Sequence, residues 1–462
     1  MLLPRPAYAI LAALLLSACA STPEYQAPQI VLPPAFVHAA PAAETPDIAA
    51  DWWNAYADAE LDRLLRQVGQ ANAELAQAEA RWRQALALVD AARALEQPQL
   101  GASATATRSG ASRASSATGT GTALSTGLTL AWTPDLWGRV AQQRSAAEAG
   151  AQAQAALLDA ARLALQLSAA QGYVRLRARD AQLALQARAE TAYARSLELT
   201  RAQYQAGLVA RADVIQAETQ LQSLRTQVFA IGRQRALEAN ALALLAGATP
   251  AELRIAAHDQ ALPAMPAVPT ALPAELLRRR PDLAAAERQL AAAHAQWGVS
   301  QRAWLPDLTL SASGGLQGDR LASLLDAPAR VWSLGPSLAA TLFDGGTRRA
   351  AEAQALAVYD AQAAAWRAGV LAAVRETEDA LAQLALLSEQ EREQQRLVAL
   401  AAENEQVVGY RYAAGEISFL EVATAQNLAL TARRDLLDVQ ADRLAASMAL
   451  VAALGGGWQP AR

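Results

Sequence analysis

Hydrophobic and polar positions follow two periods along this chain, and the whole pattern occurs twice. Apolar residues at helical spacing fill Asn72 to Gln97 and again Asp282 to Trp304, each stretch ending near a proline, which cannot continue a helix. Strict alternation comes next. Leu100, Ala102, Ala104 and Ala106 interleave with Gly101, Ser103, Thr105 and Thr107, while Leu308, Leu310 and Ala312 interleave with Thr309, Ser311 and Ser313. A Gly/Ser/Thr-rich loop from Ser109 to Gly121, and a counterpart from Gln317 to about Arg330, lead into a second alternating run in each copy. There Leu128, Leu130 and Trp132 alternate with Thr129, Ala131 and Thr133; Trp332, Leu334, Leu338, Ala340 and Leu342 lie among Ser333, Gly335, Ser337 and Thr341. The pattern predicts strands at about 99–109, 122–134, 307–317 and 331–343.

Long helices follow each strand pair. No proline interrupts Gly138 to Tyr204 or Gly346 to Tyr412. At ~1.5 Å per residue a helix of that length runs roughly 100 Å. Seam residues recur three and four apart, at Leu163, Leu167, Ala170 and Val174, and at Val370, Val374, Thr377, Leu381 and Leu384, as in a coiled coil. Each helix breaks near Gly207 or Gly415 and returns, the second with its own seam at Val422, Ala425, Ala429, Ala432, Leu436 and Val439. These runs predict helical hairpins over about 138–246 and 346–454.

A single offset of 208 residues (Tyr204 onto Tyr412) superposes the copies, also placing Pro98 on Pro306, Gly138 on Gly346, Gly207 on Gly415 and Val214 on Val422. Alanine pairs arise from composition alone; shared proline, tyrosine and glycine positions do not. The chain is thus two copies of one structural unit, 72–246 and 282–454, joined by a proline-rich linker at 247–281 and followed by a tail at 455–462.

Composition excludes an ordinary globule. The hydrophobic fraction is 53%, mostly alanine and leucine, with aromatics at 5%, which suits helices packed along small-residue seams. All 40 basic residues are arginine, and a net charge of −4 without a basic run argues against a nucleic-acid partner. The N-terminus changes the picture more. One basic residue, Arg5, precedes an apolar run from Ala7 to Leu16, too short to span a bilayer as a helix. It ends in Leu16-Ser17-Ala18-Cys19, the form of a lipoprotein cleavage site, which makes 1–18 a signal peptide and leaves lipidated Cys19 first in the segment 19–71. Cys19 is the only cysteine, so no disulfide within the chain is possible. The residue after it, Ala20, is not the aspartate that marks inner-membrane retention.

Alternating segments of about ten residues joined by polar loops suit transmembrane β-strands, although any one of them also suits a surface hairpin. Four strands cannot close a barrel, and an open edge cannot face lipid, where its amides and carbonyls find no water. Several chains must therefore share one barrel. Two would supply eight strands and three would supply twelve, and the pattern alone does not choose.

The chain also resembles a known family. Its carriers are Trp52-Trp53-Asn54-Ala55-Tyr56 with Leu61-Asp62, Trp132-Thr133-Pro134-Asp135-Leu136-Trp137-Gly138, and Arg279-Arg280-Pro281-Asp282-Leu283 with Ala286-Glu287. Leu305-Pro306-Asp307-Leu308, Leu342-Phe343-Asp344-Gly345-Gly346 and the two Tyr-x-x-Gly tips complete them. In order and spacing these resemble the TolC-like outer membrane factors, specifically the lipoprotein branch of multidrug and metal efflux systems. The resemblance implies a mainly α fold with a transmembrane β portion: a trimeric twelve-stranded outer-membrane barrel, four strands per chain, continuing into a twelve-helix periplasmic α-barrel. It implies an equatorial helix within 19–71, a homotrimer in outer-membrane lipid, a periplasmic adaptor, and an inner-membrane pump of the RND type. It also implies passive passage of small molecules, drugs or metal ions, with no cofactor beyond the lipid on Cys19.

By the same resemblance Tyr204, Gly207, Tyr412 and Gly415 mark the hairpin tips that meet the adaptor, and Glu421 and Asp213 are gate carboxylates six residues beyond each glycine. Three copies of Glu421 would form a charged ring at the constriction. Thr424 stands where many relatives carry a second carboxylate, which weakens that ring, and Tyr412 is expected to bond Asp213 between neighbouring hairpins. Both acids also suit a helix's first turn through the helix dipole alone. No catalytic constellation is present: His38, His258 and His294 have no ligands at metal spacing, and Gly455-Gly456-Gly457 lacks a phosphate-loop partner. A type I secretion duct and a poreless periplasmic coiled-coil lipoprotein remain as alternatives.

Overall fold

The computed structural model describes residues 24–38, 48–110, 120–258, 262–267, 279–322 and 329–459. The signal run, Cys19 and the middle of the first strand loop lie outside them. The chain divides into two compact units, the first drawn from 1–29, 81–155 and 285–367, the second from 30–80, 156–284 and 368–462.

The first unit holds one antiparallel sheet in the order β1-β2-β3-β4, with β1 Gln99–Gly110, β2 Thr120–Trp132, β3 Asp307–Gly318 and β4 Arg330–Ala339. The second strand of one repeat pairs with the first strand of the other, so the duplication forms one continuous sheet. Where the repeats meet, Gly127 pairs with Gly315 and Leu128 with Gly314. A Cβ on Gly315 would lie 2.4 Å from the Thr126 carbonyl oxygen, so the close approach of β2 and β3 requires glycine there. Gly315→Val should unzip this pairing and abolish membrane-assembled protein, with Gly335→Val, where a Cβ meets open space, assembling normally; extraction from outer membranes measures both.

The alternation through Leu342 suggested that the last strand reaches 343. It stops at Ala339, because Ala339 pairs with Asp307, the first residue of β3, and no partner strand continues beyond. The chain turns out instead. The Asp344 carboxylate accepts from the Gly346 and Arg348 amides at 3.0 and 3.1 Å and from Arg348 Nε at 2.7 Å, starting the next helix. The Arg348 guanidinium, then these amides, hold the Asp344 carboxyl down at about 2. Strand-to-helix junctions are pinned by indoles: Trp132 Nε1 donates to the Glu96 carbonyl at 3.0 Å and Trp137 Nε1 to the Pro306 carbonyl at 2.7 Å.

The helices are α1 Ala59–Ala71, α2 Ala73–Ala94, α3 Arg139–Gln205, α4 Arg211–Leu245, α5 Pro281–Arg302, α6 Thr347–Ala413 and α7 Phe419–Ala453. Helices α3 and α6 are both 67 residues and α4 and α7 both 35, so the two copies kept their lengths as well as their motifs. Asp58 caps α1 by accepting from the Glu60 and Leu61 amides, and α1 buries Leu61, Leu64, Leu65 and Val68 in the second unit. The seams fold inward, with Ala170, Val174, Val370, Thr377, Leu381 and Leu384 all buried. Other apolar side chains remain outside. On α4, Phe229 is 79% exposed and Leu244 76%, an apolar row that a lone chain leaves in water. Among the described residues, no helix is long and apolar enough to cross a membrane.

Candidate functional site

Strand register decides what each face of the sheet carries. Leu130, Ala312 and Leu334 lie in one cross-strand row, and Leu128, Gly314 and Trp332 in the next, with Leu100 opposite Leu130 and Leu308 opposite Leu338. That face is apolar. The other face carries the alternate positions: Gly101, Thr129, Ser313 and Ser333 share a row, and Thr105, Ser125 and Gln317 another. Ser313 and Ser333 hydroxyls pair across it at 2.8 Å. The apolar face lies open, Trp332 at 81% and Leu334 at 76% exposed, and β1 and β4 each leave one edge unpaired. An apolar face, a hydroxyl-bearing face and two free edges are what a fragment of a lipid-spanning barrel presents, and further copies must close it.

The helical hairpin tips lie in the second unit, and both turn by the same device. Gly207 and Gly415 have φ of 77° and 76°, a left-handed conformation that glycine adopts without a Cβ penalty. The Gly207 amide donates to the Tyr204 carbonyl at 3.0 Å and the Leu208 amide to Gln203 at 2.9 Å; Gly415 and Glu416 repeat this with Tyr412 and Arg411 at 2.9 and 3.0 Å. This paired closure satisfies the last carbonyls of each long helix.

Side chains then separate the two tips. Tyr204 is exposed, whereas Tyr412 is buried with Leu197, Leu221, Phe419 and Val422 in a core shared by both hairpins. Its ring meets Phe419 edge-on at 5.7 Å. The expected bond from Tyr412 to Asp213 does not form within the chain. Thr200 Oγ1 donates to the Ser196 carbonyl at 2.8 Å, which leaves its oxygen to accept from the Tyr412 hydroxyl at 2.9 Å. Burial, with the Asp213 charge adding to it, raises the Tyr412 phenol above its usual value. The Asp213 carboxylate accepts from the Ala210 amide at 3.2 Å, capping α4.

Glu421 is exposed in the first turn of α7 and bonds no side chain among the described residues. Thr424, one turn on, is exposed too, but its hydroxyl donates back to the Leu420 carbonyl at 2.8 Å. A group absent from the sequence expectations lies deeper. Gln220 Nε2 donates to Gln426 Oε1 at 3.2 Å, and Gln426 Nε2 to Ser196 Oγ at 3.0 Å, joining the two hairpins through buried amides. Two glutamines inside otherwise apolar seams were the available signal, but neither has a glutamine at the matching position of the other repeat, so the duplication did not single them out.

A family model described as outer membrane efflux protein matches residues 64–248 and 272–456. The chain belongs to the outer membrane efflux protein family. Among its relatives, OpmQ of Pseudomonas aeruginosa, named as a pyoverdine export outer membrane protein, is 32% identical over 98% of this chain and 97% of its own. Outer membrane protein OprJ of the same species is 31% identical over 99% of this chain and 98% of its own. The solved structure of the outer-membrane channel OprN matches with a TM-score of 0.88 at 29% identity, covering 96% of this chain and 100% of that one. The fold class implied by the resemblance stands: a mainly helical chain with one four-stranded sheet, of the kind that builds trimeric channels with a β-barrel and an α-barrel. The protein is the outer-membrane channel of a tripartite efflux system, and its family is one of channels.

Proposed function

We propose that this channel is held in the outer membrane by lipid on Cys19 as well as by its barrel, and passes small molecules received from a periplasmic adaptor and an RND-type pump. A ring of Glu421 carboxylates gates it, and the tips around Gly207 and Gly415 meet the adaptor. The observation that carries the gate is the contrast between the equivalent acids: Asp213 caps its helix, while Glu421 is exposed with no side-chain partner in its own chain among the described residues. Three such charges around one axis repel each other and attract cations in the constriction. Lipidation is supported by Leu16-Ser17-Ala18-Cys19, and the RND-type pump by the resemblance to the lipoprotein branch. Small-molecule cargo is favoured by OpmQ, whose name records pyoverdine export.

Purified protein in a planar bilayer tests the gate. Wild type should give small, discrete, cation-preferring steps, and Glu421→Ala larger steps with the preference reduced. Unchanged steps and unchanged reversal potential in the variant would remove Glu421 from the gate. Cys19→Ser tests the anchor separately: the protein should lose its incorporated palmitate yet stay in the outer membrane. Palmitate incorporation unaltered by the substitution would refute the site.

A further inference from the structure

The start of the described chain is not loose. Tyr25 hydroxyl donates to Glu287 Oε1 on α5 at 2.7 Å, and its ring lies 5.5 Å from His294, two turns further along the same face of α5. His294 is 9% exposed. Its other ring neighbours are Trp297 at 5.9 Å and Tyr359 of α6 at 5.6 Å, and those two stack on each other at 6.1 Å. The imidazole thus sits in an aromatic box of which Tyr25 is one wall. The charged and titratable groups around the box are Glu287 and Arg288 on α5, Tyr25 on the N-terminal strap and Tyr359 on α6. Arg288 holds the Glu287 carboxylate through Nε and Nη2 at 2.5 and 2.6 Å, so that carboxylate already has a cation.

We propose that Tyr25, Glu287 and His294 form an acid-released clasp that fixes the N-terminal strap to the body of the channel. The physical reason is exclusion of charge from the box. A neutral imidazole packs against three aromatic rings, whereas an imidazolium there loses its water. Burial lowers the His294 value below the usual histidine range, in keeping with this. The Tyr25 phenol moves the other way, raised by burial and then by the Glu287 carboxylate, so it remains a protonated donor. Undocking Tyr25 removes one wall and readmits water to His294. The undocked form therefore binds a proton more tightly, and acid must favour it by linkage. The sign follows: the docked state has the lowered value, so docking is fully favoured above the ordinary histidine value of ~6.5 and weakens as pH falls below it, by up to about tenfold per pH unit, until the lowered value is reached.

Spin labelling of the intact trimer reads this directly. Glu24→Cys places a nitroxide on an exposed residue beside Tyr25, and protein without that substitution reports any label at Cys19. The nitroxide should be restricted at about pH 7.5 and acquire a growing mobile component at about pH 5, on either side of ~6.5. His294→Phe keeps an aromatic ring without a titrating group and should remain restricted at both values. Tyr25→Ala should be mobile at both. A wild-type label equally restricted at both values, or equally mobile at both, would overturn the clasp. An acid response that persists in His294→Phe would overturn it as well, because the imidazole would not then be its source.

Discussion

Leu334→Arg should leave this protein out of the outer membrane, while Ser333→Arg, one residue away, should insert and conduct. Leu334 stands 76% exposed on the apolar face, in one row with Leu130 and Ala312. Ser333 points to the opposite face, paired with Ser313. A cationic side chain on the lipid side of a barrel costs roughly 2–4 kcal/mol near the bilayer midplane, and a trimer incurs that cost three times. The same side chain on the hydroxyl face stands in water, where it changes the field of the pore and little else. Outer-membrane fractionation with heat-modifiability should show trimer for Ser333→Arg and almost none for Leu334→Arg. A reversal potential shifted towards anions in Ser333→Arg would place that face on the conducting path. Equal assembly of both variants would mean that neither face meets lipid, and the register argument would fail.

The second large effect is expected at a buried charge cluster in the helical unit. The Asp180 side chain is 1% exposed; it accepts from Arg177 Nη1 at 2.8 Å and from Arg235 Nε at 2.5 Å. The same arginines reach the linker, Arg177 to the Ala256 carbonyl at 2.9 Å and Arg235 to the Ile255 carbonyl at 3.0 Å, and Arg177 also pairs with Glu60 on α1. One carboxylate thus organises α3, α4, α1 and the linker. Asp180→Ala takes the shared carboxylate from both guanidinium groups, leaving Arg235 with a carbonyl alone and Arg177, whose side chain is 2% exposed, with Glu60 and a carbonyl. Breaking a buried pair from one side costs about 3–5 kcal/mol, a large share of the ~5–15 kcal/mol that holds a typical protein folded. Trimer yield and melting temperature should both fall. Adding Arg177→Met and Arg235→Leu to Asp180→Ala should recover part of the loss, because an apolar replacement leaves no buried charge without a partner. A single variant that melts like wild type would show that water reaches the cluster and screens it.

Much of this architecture was legible in the chain. Period-two alternation marked the strands because side chains on a strand point to opposite faces, so a sheet between lipid and water must alternate. The tips were legible because only glycine turns the chain at positive φ so cheaply, and Tyr204-x-x-Gly207 and Tyr412-x-x-Gly415 repeat the same turn. Legibility failed where the two copies diverged in environment. Tyr204 and Tyr412 occupy equivalent positions, yet one lies in solvent and the other in the core between hairpins. Tyr412 pairs with Thr200, whose equivalent by the repeat offset is Val408, so the duplication carried no trace of that bond.

By itself, then, the sequence determined the elements, their order, their twofold repetition and the need for more than one chain, since these follow from local periodicity and from the requirement that backbone polar groups be bonded. Tertiary structure alone decided which partners met. The joining of β2 to β3 through Gly127 and Gly315, the end of β4 at Ala339, the Gln220–Gln426 bridge and the docking of Tyr25 against His294 all bring together residues far apart in the chain. Such pairings depend on how rigid helices and strands stack in three dimensions, and side-chain spacing along one strand or helix holds no record of which neighbour will lie across from it.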